Sequence, residues 1–351
     1  MNVKIDAILP AGESTKTLWY EIIANAVRGT DGAGLSQTAP IDTLGRRSVV
    51  IKTSDVATLE VSAHVDNPLV AQNVKVSETA TTENVTLLIA NVQAKNNGAV
   101  IRTVKASSTA PTNSILKLYD GTTLLGSVAT ADNVEFTDLN VSVAKDATKT
   151  LTIKADVPKG QTGESASASL LASSATIVAE DATTFADVNV TGSTVAGSVQ
   201  HFYYKVPVLS LVSQSLTPVK PPAEDSNTQW ADFKIRVNVT ADGGDIYIAS
   251  HASSGLRATT SVGAASATVT TSALDSNATE EGNGSWLVTN GATRYFEISG
   301  RVENQVASSY FFRALLDRIN WGTSATGATD VTQIWGLDLL RTDQKLLESR
   351  N

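Results

Sequence analysis

The sequence predicts an all-β protein built from tandem two-sheet sandwiches, and three observations carry that expectation. Val and Thr, β-branched residues that pack well on a pleated surface, dominate with Ala and Ser, while aromatic residues make up only 5%. Short stretches alternate apolar and polar side chains with period two, bounded by clusters of Gly, Asn, Asp and Ser. Blocks of sequence also recur in one order, the mark of a structural repeat.

The clearest block is Ala147-Thr148-Lys149-Thr150-Leu151-Thr152-Ile153-Lys154-Ala155-Asp156-Val157, which returns as Ala292-Thr293-Arg294-Tyr295-Phe296-Glu297-Ile298-Ser299-Gly300-Arg301-Val302. Leu151, Ile153, Ala155 and Val157 are expected to face a core, and Phe296, Ile298, Gly300 and Val302 to hold the same places in the second copy. Leu59-Glu60-Val61 with Pro68 matches Leu209-Ser210-Leu211 with Pro218. Val85–Ile89 and the turn Asn96-Asn97-Gly98 match Phe233–Val237 and the turn Asp242-Gly243-Gly244. Ala168–Leu171 matches Arg313–Leu316. The unit is roughly 150 residues long. One copy is expected over 59–208 and another over 209–351.

Residues 1–58 align only with the back half of a unit, which makes them a partial sandwich. Ser14–Ala24 is the third copy of the strand block. There Leu18, Trp19, Ile22, Ile23 and Ala26 fit one face of a helix as well, and the alignment favours a strand. Half a sandwich leaves apolar faces wet and edges unpaired. Either the protein extends upstream of Met1, or strands of a neighbouring subunit complete the domain. Within the first copy, Ile115–Tyr119, Asp120-Gly121-Thr122-Thr123 and Leu124–Val128 read as a hairpin, because Gly tolerates the positive φ of a tight turn. Pro218–Asp225 is stiff and extended in character, a linker or the edge of the next domain.

The hairpin Leu118-Tyr119-Asp120-Gly121-Thr122 and the strand Ala147–Ala155 resemble those of bacterial immunoglobulin-like repeats. The chain is similar in texture to large surface proteins with tandem immunoglobulin-like domains, S-layer-like proteins among them. That resemblance implies immunoglobulin-like sandwiches and an extracellular, assembly-forming or adhesive role. It carries no catalytic residues to this chain.

Composition narrows the chemistry. The net charge is −8 with both signs interspersed. No Lys or Arg run is long enough to track phosphates, so nucleic acid is not an expected partner. The absence of cysteine excludes disulfides and thiolate metal sites. No stretch approaches the about 20 apolar residues of a membrane span. The first residues show no signal-peptide core. His64, His201 and His251 lie at non-equivalent places in the repeat, and no serine has the Gly-x-Ser-x-Gly setting of a nucleophile elbow. Glu180-Asp181, Glu224-Asp225 and Glu280-Glu281 read as solvated loop charge rather than a glycosidase pair. The tryptophans Trp19, Trp230, Trp286, Trp321 and Trp335 read as packing residues before sugar platforms. Calcium is the one metal these loops suggest, with Asp242, Asp245, Glu224 and Asp225 as ligands, although the same residues make plain hairpin turns. Sequons at Asn84, Asn140, Asn189, Asn238, Asn277 and Asn283 are of the kind chance produces in such a composition, Asn277 and Asn283 being the best placed.

The function expected is therefore structural: a non-enzymatic extracellular or cell-surface protein, self-associating into an S-layer-like lattice or a filament. An adhesin or carbohydrate-binding array that takes glycan, and a virion or tail decoration protein, are the alternatives.

Overall fold

The computed structural model describes residues 15–52, 57–219, 229–251, 254–261, 267–304 and 310–347. Every regular element among them is a β-strand. The described residues form two all-β sandwiches in series, preceded by a hairpin arm.

The arm contains β1 (Thr15–Ile22), β2 (Val27–Thr30), β3 (Ser36–Ala39) and β4 (Leu44–Lys52). β1 pairs antiparallel with β4, from Thr15↔Lys52 to Ile22↔Leu44, and β2 with β3, from Val27↔Ala39 to Thr30↔Ser36. The inner ladder continues the register of the outer one, so the four strands make one long hairpin. It is interrupted beside Asn25, whose φ is 61°. At its tip the Asp31 carboxylate accepts the N–H groups of Ala33 and Leu35 and the Gln37 amide, which closes the turn locally. Of the expected partial sandwich over 1–58, residues 15–52 and 57–58 are described, and 15–52 form this hairpin. Neither hydrophobic core draws on the described part of the arm, and Trp19, Tyr20, Ile23, Leu44 and Val50 remain exposed. Asn2–Ile5 lie outside the described residues.

The first sandwich begins with β5 (Thr58–Ala63), β6 (Gln72–Lys75), β7 (Thr82–Lys95) and β8 (Ala99–Ser108). β9 (Ile115–Asp120) and β10 (Thr123–Ala129) form a hairpin whose turn residue Gly121 has φ 58°. β11 (Asn133–Phe136), β12 (Val141–Val143), β13 (Thr148–Val157), β14 (Ser165–Ala166), β15 (Ala168–Leu170) and β16 (Ile177–Asp181) follow. β17 (Asn189–Gly192), β18 (Val195–Ala196) and β19 (Gln200–Tyr203) complete it. One sheet has the order β10-β9-β13-β7-β5-β17; the other centres on β8, flanked by β11 and β12 on one side and β15 and β16 on the other. Alternate residues of β7 and β13, among them Ala90, Val92, Leu151 and Ile153, enter one core with Ile101, Leu116 and Phe136, as the period of two requires. Leu87 and Leu88 are adjacent and both buried. A bulge against β13 at this point lets two successive residues face inward.

The second sandwich repeats the plan. It contains β20 (Val206–Val219), β21 (Gln229–Asp242), β22 (Ile246–Ala249), β23 (Leu256–Ser261), β24 (Ala267–Ser276) and β25 (Thr279–Glu281). β26 (Ser285–Val288), β27 (Thr293–Asn304), β28 (Tyr310–Gly322), β29 (Val331–Gln333) and β30 (Lys345–Leu347) close the chain. Its first sheet runs β20-β21-β27-β24, the same order as β5-β7-β13-β9. In its second sheet β22 lies between β26 and β28, and β23 also pairs with β28. Phe296 and Ile298 are buried at the strand position that Leu151 and Ile153 hold in the first sheet. Phe296 meets Trp286 edge-on at 5.6 Å between centroids.

One charged pair departs from the reading as solvated loop charge. Asp181 is fully buried. Its carboxylate accepts the N–H groups of Ala57, Thr183 and Thr184 and the amide of Asn97, tying the start of β5 to the β7–β8 turn. Burial alone would raise its pKa, but the bonds from Thr184, Ala57 and Thr183 outweigh it and hold the group well below the ordinary carboxylate range. Its neighbour Glu180 is ion-paired with Arg102.

Candidate functional site at the junction of the two sandwiches

The two cores are joined without a linker in the usual sense. β19 ends at Tyr203 and β20 starts at Val206, so two residues carry the chain across. Backbone crowding fixes the crossing. Gly243, with φ +89°, lies so close that a Cβ would overlap the carbonyl oxygen of Tyr204, and at Gly336 one would press on that of Ala71. A side chain at either place would push the units apart.

Side chains from distant parts of the sequence then interlock. The Trp335 indole stacks on His201 with centroids 3.7 Å apart and planes 19° from parallel. Its Nε1 donates to Asn73 Oδ1 at 2.9 Å, and Asn73 Nδ2 donates to Gln333 Oε1 at 2.8 Å. Gln333 Nε2 returns to the Trp335 carbonyl at 3.1 Å, and Trp321 Nε1 also donates to Gln333 Oε1 at 3.1 Å. The result is a closed polar ring with every amide atom of Asn73 and Gln333 engaged, the condition under which a buried polar network stiffens a contact. Tyr203 meets Trp321 edge-on at 5.0 Å. Burial lowers the His201 pKa and raises that of Tyr203. Lys75 of the first sandwich pairs with Asp242 of the second at 2.6 Å, but both are about half exposed, so this pair contributes about 0–1 kcal/mol.

Beside the ring lies an open cleft of 990 Å³, whose walls include Lys75, Glu78, Tyr204, Lys205 and Asp330. Its charges are of mixed sign, Trp321 beneath it is buried, and the part-buried Tyr203 and Tyr204 also line it. None of the three histidines completes a triad there. His64 sits in a turn where its Nδ1 accepts the Asp66 N–H, and His201 is held in the stack. His251 approaches the Gly284 turn.

Of the expected calcium ligands, Asp242 and Asp245 fall among the described residues. Asp242 is engaged with Lys75, and Asp245 Oδ1 accepts the Asn290 N–H at 2.9 Å, tying the β21–β22 turn to the β26–β27 turn. Glu224 and Asp225 lie outside the described residues. No group of three or more His, Asp or Glu able to hold a metal ion occurs among the described residues, and no helix among them is long and apolar enough to cross a membrane. Of the tryptophans, Trp286 and Trp321 are core residues and Trp19 is exposed on the arm. Trp230 is part-buried under the Arg301 guanidinium, 4.8 Å from its centroid. The ring of Asn73, His201, Gln333 and Trp335 has no signature in sequence. Its members are polar or aromatic residues up to 262 positions apart.

No protein-family model and no curated protein matches the chain. Among solved structures it is similar to the C-terminal domain of the Streptococcus agalactiae AgI/II polypeptide BspA, at 10% identity and a TM-score of 0.20, over 84% of this chain and 100% of that one. It is also similar to the C-terminal domain of the Streptococcus pyogenes antigen I/II-family protein AspA, at 8% identity and a TM-score of 0.19, over 84% and 99%. Superpositions this loose carry no argument about role.

Proposed function

We propose that this protein is a non-catalytic structural subunit of an extracellular assembly, a lattice or a filament, in which the two sandwiches act as one stiff strut. The observation that carries this reading is the junction: a two-residue crossing, reinforced by the Trp335–His201 stack and the Asn73–Gln333 ring. A catalytic or ligand-gated pair of domains gains from a hinge, whereas a strut gains from its absence. The exposed arm supplies the means of joining subunits. Electron microscopy of the purified protein and of its native source tests the reading. Ordered filaments or sheets are expected. Dispersed monomers that bind glycan would overturn it in favour of an adhesin.

A further inference from the structure

We propose that the arm of one copy adds as a strand to the free edge of β20 in the next copy, so that subunits join head to tail. This rests on the assembly reading and names its contact.

The two sandwiches differ at one sheet edge. In the first, the outer edge of β5 is covered by β17, which runs parallel to it from Thr58↔Asn189 to Val61↔Gly192. In the second, the equivalent strand β20 pairs with β21, and among the described residues no strand covers its other side. The stretch matching the covered part of β5 is Val208–Leu211. Val208 is 52% exposed and Leu211 40%. The whole of β20 carries no charged residue. Proteins guard exposed edges with lysines and other charges, and this edge lacks them. The fold therefore shows what such an edge accepts, an extended strand, and leaves one such place open.

The arm has the complementary need. A two-stranded ribbon is marginal in water until a third strand joins it. β4 carries Arg46 and Arg47, Arg46 lying over the Trp19 ring of β1, and β1, with the sequence TKTLWYEI, is rich in strand-forming residues beside Lys16 and Glu21 and long enough to cover Val208–Leu211. Residues 15–52 hold five basic side chains (Lys16, Arg28, Arg46, Arg47 and Lys52) against three acidic ones, in a chain of net charge −8. A basic arm on an acidic molecule is drawn to another copy rather than repelled by it.

Geometry makes the contact intermolecular. The arm leaves the first sandwich at Thr58, which pairs with Lys95 at one end of β7. The junction lies by the other end, where Thr82 lines the cleft. Fourteen strand residues separate the two ends, about 45 Å. The five residues 53–57 span at most about 18 Å. The base of the arm thus starts farther from its own β20 than the connecting residues can span. The arm lies at one end of the molecule and the Val208–Leu211 edge beside the junction, and a head-to-tail contact between such unlike surfaces generates an open filament where successive rotations do not close into a ring.

The chain lacks cysteine, so single thiols can be placed at will. A Thr17→Cys chain is mixed with a Ser210→Cys chain under mild oxidation, both positions being exposed. A disulfide-linked pair containing one of each is expected, and Val208→Lys in the second chain should abolish it while leaving circular dichroism unchanged. Electron microscopy of the Val208→Lys protein is run alongside. Filaments that persist with no mixed cross-link would overturn this contact and leave the assembly reading standing. A wild-type chain that stays monomeric would overturn both.

Discussion

Replacing Trp335 by Ala should uncouple the two sandwiches. The substitution removes the stack on His201 and the indole bond to Asn73. Aromatic pairs are worth about 0.5–1.5 kcal/mol beyond their area, and a hydrogen bond of this kind about 0.5–1.5 kcal/mol. The coupling lost is thus about 1–3 kcal/mol, nearly all of it at the junction. Urea unfolding followed by two probes reads it directly. All five tryptophans lie outside residues 57–202, so fluorescence reports chiefly the second sandwich, while far-UV circular dichroism reports both. With an m-value of about 1–3 kcal/mol/M, a loss near 2 kcal/mol should separate the formerly coincident midpoints by about 1 M. Small-angle scattering should show a broader range of end-to-end distances. His201→Ala in the same background should add little, because its partner has gone. If the midpoints stay together and the scattering is unchanged, the ring does not stiffen the joint and the strut reading fails.

Three further outcomes follow from single groups. Asp181→Ala strands the buried donors of Ala57, Thr183 and Thr184 and should cost about 3–5 kcal/mol by urea titration. Because the native carboxylate is held below its ordinary range, the stability it gives is complete above the unfolded value of about 3.9 and is lost as pH falls below it; Asp181→Asn should flatten that acid limb. His201 is held below its ordinary pKa by burial, so its neutral stack contributes fully above about pH 6.5 and loses ground as pH falls. His201→Phe should reduce the drop in melting temperature between pH 7 and pH 5. At Gly197 a Cβ would overlap the carbonyl oxygen of Leu87, so Gly197→Ala should cost about 1–3 kcal/mol, whereas Gly32→Ala, which meets nothing within 4 Å, should change stability by less than about 0.5 kcal/mol.

Local rules reach the strands and stop short of the joint. Alternation marks Leu151, Ile153, Phe296 and Ile298 because a strand buries every second residue whatever lies across the core. The Asp120-Gly121 turn is legible for a similar reason, since the φ of 58° at Gly121 is a property of that residue. Leu18 to Ala26 satisfies two periods at once, and long-range pairing with β4 decides for a strand there. Asp181 is hidden because nothing in Glu180-Asp181 shows that three backbone N–H groups, one of them 124 positions away, converge on one carboxylate. The junction is hidden in the same way: Asn73 and His201 belong to one sandwich, Gln333 and Trp335 to the other, and only tertiary packing brings them together.

The parallel pairings β5–β17 and β6–β19 set a timetable for synthesis. Thr58 waits for Asn189 and Gln72 for Gln200, so the first sandwich closes only when nearly all of its residues have been made. The hairpin arm spans only Thr15 to Lys52 and needs no later segment to pair. Local contacts form fast and distant ones slowly. The arm is therefore structured and exposed while the sandwich behind it is still open, and a nascent chain meets its neighbours arm first. Crowded translation therefore exposes that ribbon to unintended strand pairing before the sandwich behind it has closed.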